Sequence, residues 1–130
     1  MPGRFLLDTH IVVDIATQGG FEAMPPKVRR ILEDPEAGRL LSVASEVEIA
    51  IKHQLGKLAL TRSELTKICT SALIASYPLR SHHTDRLFAL PLHHKDPFDR
   101  LIISTALSED LRIISCDPQF RKYKGLQVIW

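Results

Sequence analysis

The sequence predicts an α/β fold, a short parallel sheet flanked by helices. Two observations carry that prediction. Short apolar segments bounded by carboxylates, Gly or Pro recur along the chain, and stretches of helical spacing alternate with them. Alternation of this kind joins strands by right-handed crossovers, which makes the sheet parallel and covers both of its faces. The 130 residues, 45% apolar and 25% charged, suit one globular core, so a single domain over 1–130 is expected.

Arg4-Phe5-Leu6-Leu7-Asp8 reads as a buried strand, a few apolar residues ending abruptly in a carboxylate. Thr9 to Ala16 follows as a helix, stopped by Gly19-Gly20. Pro25-Pro26 opens a second helix, Pro26 to Leu32, closed at Asp34-Pro35. Arg39 to Ser42 is a second strand. Ser42 or Ser45 caps the next helix, and Ser45 with Glu48 also spells a capping box. Val47, Ala50, Ile51 and Gln54-Leu55 give this helix its apolar spacing, and Gly56 ends it. Thr61 with Glu64 is a second capping box, opening a helix predicted to run through Ala75. Pro78-Leu79-Arg80 is extended, and a short helix runs from His82 to Ala89. Asp96-Pro97-Phe98-Asp99 opens a further helix, with Pro at its first position and Ile102, Ile103, Ala106 and Leu107 facing inward. Arg112 to Ser115 is a strand, Pro118 to Tyr123 a helical turn, and Gln127 to Ile129 a final strand. No repeat or low-complexity segment interrupts this order.

Composition excludes several classes. Lys+Arg number 17 against 15 Asp+Glu, a net charge of +2, so no polybasic face announces a nucleic-acid coat protein. No run of 18 apolar residues offers a membrane span. The start, Met1-Pro2-Gly3-Arg4, lacks the features of a secretory signal. Cys69 and Cys116 lie far apart without metal-ligand spacing, which argues against a disulfide framework and for a reducing cytoplasm. Neither GxGxxG nor a Walker A pattern occurs.

Four acids stand where a parallel sheet places ligands, beyond the carboxyl ends of its strands. Asp8 ends the first strand and Asp117 follows the strand at Arg112. Glu48 and Asp99 lie in the first turns of helices that follow extended segments. Each also has a plain structural reading. Asp8 and Asp117 can cap the helical turns after them, Glu48 can return the Ser45 capping box, and Asp99 can favour the helix dipole behind an Asp96 cap. Jointly the acids say more. Crowded carboxylates raise one another's pKa, and a hard divalent cation with oxygen ligands relieves the conflict. A carboxylate site holding Mg²⁺ or Mn²⁺ suits phosphodiester hydrolysis.

These residues resemble the PIN-domain toxins of VapC type. The resemblance rests on Phe5-Leu6-Leu7-Asp8-Thr9-His10, on Glu48-Ile49-Ala50-Ile51-Lys52 with Leu55-Gly56-Lys57-Leu58, and on Leu90-Pro91 through His94-Lys95-Asp96-Pro97-Phe98-Asp99-Arg100-Leu101. The tail Ile114-Ser115-Cys116-Asp117-Pro118-Gln119-Phe120 is similar as well. The resemblance implies a PIN-like α/β/α sandwich and a Mg²⁺-dependent endoribonuclease, with Mn²⁺ as a substitute, that hydrolyses RNA with metal-activated water. It implies the toxin half of a type II toxin–antitoxin pair, a cognate VapB-like antitoxin and a homodimer. Its catalytic quartet maps onto Asp8, Glu48, Asp99 and Asp117. Asp8 and Asp99 would hold the metal, with Glu48 and Asp117 completing the site. Asp99 fits the third position because Ile102, Ile103 and Ala106 follow it; Asp96 is better placed as a cap or a supporting group. Two positions depart from the pattern. Val47 stands where an aromatic usually precedes the glutamate, and Ser115 where Thr is common, its hydroxyl still able to orient a carboxylate. Thr9 is a further supporting candidate.

Lys52, Lys57, Lys95 and Arg100 lie close to the acids in sequence and are candidates to hold RNA phosphates. Lys52 serves equally as an ion-pair partner of Glu48. The pairs His82-His83 and His93-His94 invite a zinc reading, but adjacent side chains on a helix diverge by about 100°. His94 reads instead as a hydrogen bonder that orders its loop. Two alternatives stay open: a PIN-fold nuclease of RNA processing, and a non-catalytic interaction module whose acidic pocket receives a basic residue.

Overall fold

The computed structural model describes residues 3–130. Met1 and Pro2, part of the start read above, lie outside the described residues. Among the described residues, five strands form one parallel sheet. β1 (Arg4–Leu7) is central, β2 (Gly38–Ser42) and β3 (Ile74–Tyr77) extend one side, and β4 (Arg112–Ile114) and β5 (Val128–Ile129) the other. Six helices flank it: α1 (Thr9–Gln18), α2 (Pro26–Glu33), α3 (Val43–Gln54), α4 (Arg62–Ser71), α5 (Ser81–Asp85) and α6 (Pro97–Glu109). Short 3₁₀ turns follow α5 at Arg86–Ala89 and β4 at Pro118–Lys122. No described helix is long and apolar enough to cross a membrane.

Alternation along the central strands divides the core in two. Phe5 and Leu7 of β1, with Ile114 of β4, pack against Ile11, Val12 and Val28 of α1 and α2. Leu6 and Ile113 point the other way, onto Ile102 and Ile103 of α6 and Phe120. Both faces are therefore covered, as the α/β/α prediction requires. The same register builds the site. Leu7 pairs with Ile114, and the Asp8 N–H continues the ladder by donating to Ile114 O at 3.0 Å. Asp8 thus emerges beside Ser115, the residue that follows β4.

Two expectations need correction. The helix opened by Thr61 keeps its capping box, with Glu64 N donating to Thr61 Oγ1 at 3.1 Å. It ends at Ser71, however, not Ala75. Leu73 adopts a left-handed φ of 55°, and Ile74–Tyr77 pairs with β2 as an edge strand, ahead of the segment Pro78–Arg80. Ile68 and Ala72 continue the helical spacing, but Ile74 is buried on the sheet, and that pairing prevails over local propensity. The second correction concerns α3. Its apolar stripe faces solvent: Val47 and Ile51 are each 44% exposed and Leu55 62%. The inward face is Ala44, Ser45, Glu48 and Ile49. Small residues let α3 lie close to α1, where Thr9 Oγ1 donates to Ser45 Oγ at 2.8 Å. The first helix ends as expected, with Gly19 at φ 73° and its N–H donating to Ile15 O.

Candidate active site

Asp8 opens α1 by position, yet its side chain makes no capping hydrogen bond. Instead it turns into the protein, 1% exposed. There Ser115 Oγ donates to Asp8 Oδ2 at 2.7 Å and accepts the Asp117 N–H at 3.0 Å. One hydroxyl thus ties the first acid to the backbone of the last.

Ser42, not Ser45, caps α3, accepting the Ala44 N–H at 3.0 Å. Glu48 is therefore free of capping duty. It is buried, its Oε2 accepting from Lys52 Nζ at 2.8 Å. Asp96 caps α6, accepting from Phe98 N and Asp99 N at 2.8 and 3.0 Å. That leaves the Asp99 carboxylate to face inward. Asp117 does both: Oδ1 caps the following turn through Gln119 N at 2.9 Å, and Oδ2 lies 2.9 Å from His94 Nε2. The same Nε2 is 3.0 Å from Asp99 Oδ2. Ser115 therefore links Asp8 to Asp117 by hydrogen bonds, and His94 hydrogen-bonds Asp117 while its ring nitrogen lies against Asp99.

The electrostatics reflect this crowding. Burial, then the charges of Asp8 and Asp96, push Asp99 from its ordinary 3.8 up to about 7, with Glu48 adding to the rise and His94 opposing it. His10, at the exposed rim, is pushed up to about 9, chiefly by Asp8 and further by Asp99 and Glu48, against its own desolvation. At 3.8 Å from Asp8 Oδ1 it acts as an ion-pair partner, not a hydrogen bonder. Lys52 is raised above its usual range, first by its hydrogen bond to Glu48. Despite these cations, Asp8 Oδ1 and Glu48 Oε1 are buried with no hydrogen-bond partner. Orphaned anionic oxygens of this kind are costly. Asp99 and Asp117 offer oxygens within 4.8 Å of each other at His94. Asp8 and Glu48, whose charges act on Asp99, each leave a buried oxygen unsatisfied. An all-carboxylate donor set of this kind fits a hard divalent ion such as Mg²⁺ or Mn²⁺.

The basic candidates separate. Lys52 takes the ion-pair role with Glu48, its side chain still 42% exposed. Lys95 stands in solvent. Arg100 does not: its guanidinium donates to Pro91 O, His94 O and Leu90 O at 2.9, 3.2 and 3.2 Å. It clamps the loop that carries His94. The Thr9 hydroxyl donates to Ser45 Oγ. His94 orders its loop as expected, its Nδ1 accepting the Asp96 N–H at 3.2 Å. Its second role, at Asp99 and Asp117, was missed. The signal in the sequence was a histidine two residues before the Asp96 cap, close enough for that cap's N–H to hold its Nδ1.

The adjacent histidines of α5 do not diverge as argued. His82 Nε2 and His83 Nε2 both reach Glu109 Oε1, at 2.6 and 2.8 Å, drawing Glu109 down to about 2. His83 Nδ1, however, accepts the Arg80 N–H at 2.9 Å. The ring proton is then on Nε2, so His83 is a donor to Glu109 and has no lone pair there for zinc. The trio ties α5 to α6, beside the buried hydrogen bond from Ser104 Oγ to His83 O.

Several solved structures share the fold. A VapBC2 complex from Rickettsia felis bound to a DNA fragment from its promoter superposes with a TM-score of 0.72 at 13% identity, covering 97% of each chain. A DNA-bound VapBC from Salmonella typhimurium gives 0.68 at 14%, covering 99% of this chain and 98% of that one. VapBC-1 from nontypeable Haemophilus influenzae gives 0.66 at 17%, with 97% and 96% covered. At these identities the likeness is one of fold. No curated protein matches the chain in sequence. The family model of the PIN domain matches residues 5–126, and the chain belongs to the PIN domain family.

Proposed function

We propose that this chain is a Mg²⁺-dependent endoribonuclease, the toxin of a type II toxin–antitoxin pair, restrained by a cognate VapB-like antitoxin and acting as a homodimer. PIN domains are nucleases, hydrolases acting on nucleic acids, and family membership supports that coarse activity. The antitoxin partner is supported by structural neighbours that are themselves VapBC complexes. The observation that carries the reading is the pair of buried, unpartnered oxygens, Asp8 Oδ1 and Glu48 Oε1, next to the elevated Asp99.

Asp8 and Asp99 would hold the ion, with Glu48 and Asp117 completing the site. When bound, the ion neutralises the carboxylates, lowers the pKa of a water and stabilises charge on the leaving oxygen. The residues do the rest. Ser115 fixes which Asp8 oxygen is free, and Lys52 does the same for Glu48. Lys52 and Lys95 set positive charge at the mouth, where carboxylates alone would repel a phosphate. In the reaction a water gives up a proton as its oxygen bonds to phosphorus, and the P–O3′ bond breaks. The 3′ oxygen takes up a proton, leaving a 3′-hydroxyl and a 5′-phosphate.

The test is incubation of purified protein with total cellular RNA, with Mg²⁺ or chelator, beside Asp99→Asn. Discrete fragments that need both the metal and Asp99 are expected. Folded protein that cuts nothing in Mg²⁺ or Mn²⁺ would contradict the reading and favour an acidic pocket that only binds.

A further inference from the structure

We propose that His94 is a positioning residue of this nuclease site, its Nε2–H donating to Asp117 Oδ2 while the same nitrogen stands 3.0 Å from Asp99 Oδ2, so that one ring sets how both carboxylates face a divalent ion. The inference rests on the divalent-ion reading above. Every polar atom of His94 is committed. Its N–H donates to Tyr123 Oη at 2.8 Å, and that hydroxyl donates onward to Pro91 O at 2.8 Å. Its carbonyl accepts from Arg100, and its ring meets the fully buried Phe120 edge-on, with centroids 5.6 Å apart.

The tautomer follows from the loop. Nδ1 accepts the Asp96 N–H, so the ring proton is on Nε2, and this nitrogen is a donor with no lone pair for a metal. It faces two carboxylate oxygens at 3.0 and 2.9 Å, and all three atoms lie within 4.8 Å of one another. Carboxylates from the first turn of α6 and the turn after β4 therefore meet at one ring nitrogen, which hydrogen-bonds Asp117 and lies against Asp99. Partners of this kind orient metal-binding carboxylates and raise affinity for the ion.

The test measures Mn²⁺ affinity by electron paramagnetic resonance in the wild type, His94→Asn and His94→Gln, with thermal melting to confirm folding. Asparagine places an acceptor near Nδ1 and lacks a donor at the Nε2 position; glutamine reaches that position with an N–H. We expect His94→Asn to weaken Mn²⁺ binding about 10- to 100-fold and His94→Gln to restore most of it. Equal losses in both variants would assign His94 to packing on Phe120 and overturn the proposal. Binding by His94→Asn as tight as the wild type, or tighter, would overturn it as well. A wild type that binds no Mn²⁺ would instead overturn the divalent-ion reading, and the positioning role with it.

Discussion

Removing one charge from the acidic pocket should stabilise the ion-free protein while abolishing its activity. Asp99 is 6% exposed, and burial with the Asp8 and Asp96 charges lifts its carboxyl from 3.8 to about 7. A carboxyl whose folded pKa lies above its unfolded value costs the folded state nothing below pH 3.8. The cost grows as pH rises and is complete above about 7. At about 1.36 kcal/mol for each pH unit of that interval, the ceiling is about 4 kcal/mol. Asp99→Asn removes the charge and keeps the side chain's size, with an amide beside His94 Nε2. For a chain of this size about 3–4 °C accompanies each kcal/mol, so in chelator at pH 8 the variant should melt on the order of 10 °C above the wild type. At pH 4 the two should nearly coincide. Adding Mn²⁺ at pH 8 should raise the wild type alone and narrow the gap. Differential scanning calorimetry reads all three conditions. A variant melting below the wild type at pH 8, or a gap of the same size at both pH values, would refute the reasoning.

Ser115→Ala removes the donor to Asp8 and the acceptor for the Asp117 N–H. It should destabilise by about 1–3 kcal/mol and slow RNA cleavage about 10- to 100-fold, read by urea denaturation and initial rates. Glu109 is drawn down to about 2 by hydrogen bonds from His82 and then His83. Its contribution to stability is present above the ordinary 4.5 and lost as pH falls through about 2. The melting gap between wild type and Glu109→Gln should accordingly be full at pH 6 and shrink below pH 4.5; a gap that widens in acid would contradict this. Thr61→Ala breaks the capping box of α4, costing about 1 kcal/mol, and should leave nuclease activity unchanged.

The alternation of strands and helices, the caps at Thr61 and Asp96, and the positions of Asp8, Glu48, Asp99 and Asp117 were legible because they depend on local chemistry. What failed depended on tertiary contact. The end of α4 is decided by pairing of Ile74–Tyr77 with β2, and no residue in Ala72–Ala75 announces it. The rotation of α3 is decided by its approach to α1 through Ser45 and Thr9. A 3.6-residue period marks a stripe at Val47 and Ile51 without saying that Glu48 and Ile49 are the buried side. At the site, the acids could be read from spacing, but the pairing of their oxygens could not. Which oxygen of Asp8 or Glu48 is left free depends on Ser115 and Lys52, and Arg100 spends its charge on three carbonyls of the loop at 90–94.

The most direct test of the central claim, that Asp8, Glu48 and Asp99 form one divalent-ion nuclease site, is the end chemistry of RNA cut over a Mg²⁺ titration by the wild type, Asp8→Asn and Glu48→Gln. The expected result is cleavage that requires the ion, yields 3′-hydroxyl and 5′-phosphate ends, and disappears in both variants while they remain folded. Cleavage that survives chelator, leaves 2′,3′-cyclic phosphates, or persists at the wild-type rate in Asp8→Asn would contradict it.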